Sequence, residues 1–82
     1  MDSVTVTHLI YIELIFLRLG LSNSYFGKGF ASRAVKLGGD FSKYIDTLQL
    51  FADIPIVCRL REIYKSSLTL NTDAVLELLH SM

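Results

Sequence analysis

The residues best placed to do chemistry form one short run, Gly27-Lys28-Gly29-Phe30-Ala31, which opens a helical pattern continuing to Leu37. Glycines at such a turn let backbone amides converge, and a helix N-terminus adds partial positive charge, so the pair can hold a phosphate. Gly27, Lys28, Gly29 and Ala31 are the candidate phosphate-binding residues. The plainer reading of the same run, and the leading one, is a connector between two helices. Elsewhere the reactive side chains are sparse. Cys58 flanks the apolar stripe of a predicted helix, where a buried structural role is the commoner one. The histidines, His8 and His80, lie near opposite ends of the chain, so nothing pairs a base with that thiol. One cysteine and two histidines argue against a metal site, and Ser66-Ser67 belongs to no nucleophile motif. No catalytic residue is assigned, and the chain is read as leaning away from enzymes.

The G-x-G-x-A form of Gly27–Ala31 resembles the pyrophosphate loop of the GNAT acetyltransferases. That resemblance implies acetyl-coenzyme A as cofactor, a strand over residues 8–17 and another over residues 47–51. It reaches at most residues 8–68 and departs from the family in several places. Phe26 stands where arginine or glutamine is usual, and Gly38-Gly39 interrupts the helix that should continue after the loop. Ile56 falls near an expected asparagine, and Ser67-Leu68 replaces Gly-Phe. Without the resemblance no cofactor is expected.

Charge supplies a third reading. Eight basic residues balance eight acidic ones, which removes the global argument for a polyanion partner. The balance is uneven along the chain. Residues 18–43 carry Arg18, Lys28, Arg33, Lys36 and Lys43 against Asp40 alone, a local +4 between two flanks of −2. Ala34 to Gly38 echoes the spacing of a helix-turn-helix, but Arg33 and Thr47 occupy positions that motif fills with core residues. Solvated helix faces are the simpler account, and nucleic-acid binding is a second alternative only.

The elements that must position these groups read as helices. Residues 4–19 are ambiguous: Val4 and Val6 alternate with threonines as in a strand, whereas the apolar run from Leu9 onward suits a buried helix ending at Gly20. Residues 20–29 read as loop, and a short helix spans residues 30–37. After Gly38-Gly39, Asp40 is placed to cap a helix carrying Phe41, Tyr44, Ile45, Leu48 and Phe51. Asp53 and Pro55 signal the next, with Ile56, Val57, Leu60, Ile63 and Tyr64 as its stripe. A last helix starts near Asn71 or Thr72 and includes Val75, Leu76 and Leu79. The fold class is therefore all-α, a bundle of four or five short helices in one domain over residues 1–82. The alternative is α+β with an N-terminal strand.

With 51% hydrophobic residues, a chain of 82 has more apolar surface than its own core hides. Leu9 to Leu21 holds most of the excess, but it is short for a membrane span and contains Glu13 and Arg18. The leader before it lacks the basic residues of a secretory signal. A helix apolar on nearly every side belongs in a bundle centre or an interface. Leu9, Ile12, Ile15, Phe16 and Leu19 are the expected interface residues. The expected protein is a small, soluble, intracellular accessory or regulatory factor. It is expected to act through protein–protein interaction and homo-oligomerisation, as a dimer by preference, with a further protein partner unidentified.

Overall fold

Asp2 decides how the chain begins. Its carboxylate accepts a hydrogen bond from the Thr5 amide at 2.7 Å, capping a helix at the first position available. That bond holds the Asp2 carboxyl below the ordinary aspartate value of 3.8. Thr7 donates its hydroxyl back to the Ser3 carbonyl at 2.8 Å, so its β-branched side chain is absorbed within the helix. The computed structural model describes residues 1–82, and its first helix, α1, runs Ser3–Arg18. The N-terminal strand alternative is thereby corrected to helix.

Four further helices follow: α2 (Phe30–Leu37), α3 (Phe41–Thr47), α4 (Pro55–Lys65) and α5 (Thr72–His80), with a 3-10 turn at Leu48–Phe51. The protein is all-α and has no strand. No helix is long and apolar enough to cross a membrane. Contacts divide the chain into two compact units, Met1–Gly39 with Met82, and Asp40–Ser81.

In the first unit α1 packs on α2. Helix α1 closes in a Schellman arrangement, Gly20 donating to the Leu17 carbonyl and Leu21 to the Phe16 carbonyl. The loop that follows sends Phe26 inward. Its ring lies 5.0 Å from Phe16 and 4.9 Å from Phe30, and all three are buried. This aromatic trio settles which side of α1 faces inward: Leu9, Ile12, Ile15 and Phe16 all lie at 0% exposure.

In the second unit α3 and the 3-10 turn pack on α4, which also contacts α5. Asp40 caps α3 through the Ser42 amide, and Asn71 caps α5 through the Ala74 amide. Asp53 does not cap α4. Ile54 holds that position, and Pro55 begins the helix where no amide partner is needed. The helix expected to continue to Phe51 tightens into the 3-10 turn after Thr47. Val57, Leu60, Tyr64, Val75, Leu78 and Leu79 are buried, and Phe41 meets the Tyr64 ring edge-on at 5.3 Å.

His8 is the one buried polar residue, at 0% exposure, with its ring edge-on to Tyr11 at 5.3 Å. Burial disfavours the imidazolium and lowers its pKa from the ordinary 6.5. As pH falls, the unfolded chain therefore takes up a proton before the folded chain does. The stability resting on neutral His8 is whole above 6.5 and is lost as pH drops through that value toward the lowered one. Thermal melts should show Tm declining once pH passes below 6.5, and His8→Gln should flatten that decline. Equal pH dependence in the two proteins would contradict this assignment.

Candidate functional site

The glycine loop is built to be filled from within. Gly29 occupies the N-cap of α2 with φ +86° and has no side chain to cap the helix. Glu13, one turn before the end of α1, supplies the missing oxygens. Its carboxylate accepts from the Gly29 amide at 3.1 Å and from the Ala31 amide at 2.9 Å. A capping box makes two bonds of this kind to first-turn amides, one from an N-cap side chain and one from a glutamate within the helix. Here one carboxylate from another helix makes both, and its charge faces the positive end of the α2 dipole.

Arg33 holds the loop from the other side. Its guanidinium donates to the Lys28 carbonyl at 2.9 Å and to the Tyr25 carbonyl at 2.7 Å. Gly27 is buried where a Cβ would run into the carbonyls of Leu21 and Ser22. Its amide donates to Ser24, that of Lys28 to Ser22, and that of Phe30 to Gly27. Every amide from Gly27 to Ala31 thus has an acceptor within the chain. The sequence places the candidate phosphate ligands Gly27, Lys28, Gly29 and Ala31 on one loop, and the structure engages their amides in holding that loop shut. The strands implied by the acetyltransferase resemblance are absent: residues 8–17 lie in α1 and residues 47–51 in the end of α3 and the 3-10 turn.

The other candidates are dispersed. Cys58 is exposed on α4, not buried as its helical position suggested. His8 is buried and His80 exposed. No group of three His, Cys, Asp or Glu side chains could hold a metal ion. The basic segment divides between the units, since Lys43 belongs to the second and Arg33 is engaged with loop carbonyls. A cleft of about 300 Å³ in the second unit is lined by Phe41, Ile45, Tyr64 and Leu68, with Asp46 and Lys65 paired at 3.2 Å. Those two side chains are 70% and 42% exposed, so the pair adds little.

The feature that stands out is on the first unit. Val6, Ile10, Leu14 and Leu17 recur at helical spacing on the side of α1 opposite its buried stripe. Ile10 is 45% exposed, Leu14 38% and Leu17 36%. Beside them α2 presents exposed Val35, and between the helices lies a groove of about 500 Å³. Glu13 and Ala31 line this groove, so the bond that caps α2 also sets the spacing of its walls. The expected interface residues Leu9, Ile12, Ile15 and Phe16 are inside the chain, and Leu19 is half-buried. The outward stripe is the one sequence reasoning missed. Its signal was the second i, i+4 series at Val6, Ile10 and Leu14, hidden in a run apolar on both faces.

Removing the Glu13 carboxylate leaves two amides at a helix end without their partner. Glu13→Ala should cost about 2 kcal/mol in urea unfolding, and Glu13→Gln, which keeps one acceptor without the charge, about 1 kcal/mol. An alanine variant as stable as the parent would refute the capping role. Comparison of the chain with family models, with curated proteins and with solved structures finds no match.

Proposed function

We propose that this chain is a non-enzymatic interaction protein, an accessory or regulatory factor that seats an apolar helix of another protein chain between α1 and α2. The observation that carries the reading is the outward stripe of Val6, Ile10 and Leu14, which lines the groove with Val35 and is continued along α1 by exposed Leu17. The aromatic trio and the inner stripe of α1 already fill the interior, so these side chains are surplus to it. Contiguous apolar surface of this kind marks binding sites for proteins. The groove is open and contains few polar groups, whereas a small-molecule pocket fixes its ligand with several convergent ones. A helix laid on i, i+4 anchors matches its shape.

Photo-incorporation of bis-ANS (an apolar dye that attaches where it binds), followed by peptide mapping, tests the location of the working face. Label is expected on peptides from residues 3–18 and 30–37, and Leu14→Asp should strongly reduce it with unchanged circular dichroism. Label confined to residues 40–81, or unaffected by Leu14→Asp, would overturn the reading.

A further inference from the structure

We propose that the connection between α4 and α5 is a strap that closes the cleft of the second unit, Leu68 turning in over Phe41, Ile45 and Tyr64. The inference concerns a different surface from the α1–α2 face and stands or falls independently of it.

The first observation is Leu68 itself. Its side chain is fully exposed, the most exposed large apolar residue of the chain, yet it borders the cleft of about 300 Å³. Removing a leucine from water is among the larger favourable terms a single side chain supplies. Apolar surface lies beside it in the cleft floor, where Ile45 and Tyr64 are buried. Phe41, edge-on to Tyr64, is only half-buried and is left to be covered.

The second observation is how the segment is held. Its ends are fixed. Ser66 closes α4, its amide donating to the Glu62 carbonyl at 3.0 Å and its hydroxyl to the Ile63 carbonyl at 3.2 Å. Asn71 caps α5, and the Thr72 amide donates to the Leu70 carbonyl at 3.1 Å. Between these anchors the amides of Ser67, Leu68 and Leu70 donate to no group of the chain. That of Thr69 reaches only the Ser67 hydroxyl, at 3.3 Å. The Gly27–Ala31 loop is the opposite case, with every amide engaged. A segment with exposed amides and few buried contacts moves at low cost. Turning residues 67–69 sets one local bond against the burial of a leucine, with both helices left in place.

The third observation is the rim. Asp46 and Lys65 line the same cleft, but both are exposed, so closure buries the leucine and need not bury their charges. The cleft thus has an occupant built into the chain. An apolar group of another molecule reaches Phe41, Ile45 and Tyr64 only by displacing Leu68, and the strap acts as a gate.

Methyl NMR on the full chain with labelled leucine tests the closure. The Leu68 methyls should be shifted upfield by ring currents and show cross-relaxation to the ring protons of Phe41 and Tyr64. A second measurement reads access to the floor. With Cys58→Ser as background, Ile45→Cys should react slowly with iodoacetamide, and adding Leu68→Ser should speed the reaction severalfold with unchanged circular dichroism. A leucine that stays in water shields nothing, so its removal would then leave the rate unchanged. Leu68 methyls at solvent-exposed shifts without ring contacts, or equal rates with and without Leu68→Ser, would overturn the proposal.

Discussion

The carboxylate of Glu13 on the amides of Gly29 and Ala31 is the contact on which the first unit depends. Helix α2 has eight residues, far fewer than an isolated helix needs to persist in water. Its N-cap is a glycine with nothing to offer the first turn. A bond to α1 both completes that turn and fixes the position of α2 on α1. A chain of this length has roughly 4–12 kcal/mol of stability in total, so a contribution near 2 kcal/mol is a large share. The remainder of the loop follows from it: Arg33 ties the carbonyls, Gly27 lets the chain pass the Leu21 and Ser22 carbonyls, and Phe26 drops into the interior.

Function connects to this contact through geometry. A groove between two helices has a defined width only where both walls are held, and Glu13 and Ala31 are both a bonded pair and part of the groove lining. The same carboxylate occupies amides that would otherwise suit an anion, which turns a loop with a phosphate-binding outline into a structural clasp. The result is a face with apolar side chains outward and its one carboxylate turned to the amides of α2. Such a face favours another apolar surface over a charged ligand.

Much of the fold was legible because helix signals are local. Asp40 and Asn71 as caps, Pro55 in a first turn and Gly38 as a stop all stand where propensity places them. The start of α1 was obscured by Val4, Thr5, Val6 and Thr7, whose β-branched types favour a strand, while the decisive Asp2 cap is a single residue outside the pattern. The site was less legible for a nonlocal reason. Helix α1 is apolar on two sides, and sequence cannot say which of them the chain covers itself. That choice is made by Phe26 and Phe30, beyond the end of α1 and outside its periodic pattern, meeting Phe16 in space. Nor does spacing alone show that the glycine loop's amides are satisfied, since the acceptor is sixteen residues upstream of Gly29.

The central claim is that the outward face of α1 and α2 is the surface through which the protein works. Amide NMR spectra recorded as bis-ANS is titrated into the protein test it most directly. The account predicts dye-dependent shifts gathered on Val6, Ile10, Leu14, Leu17 and Val35, with residues 40–81 unchanged. Shifts gathered in residues 40–81, or spectra that the dye leaves unchanged, would contradict it.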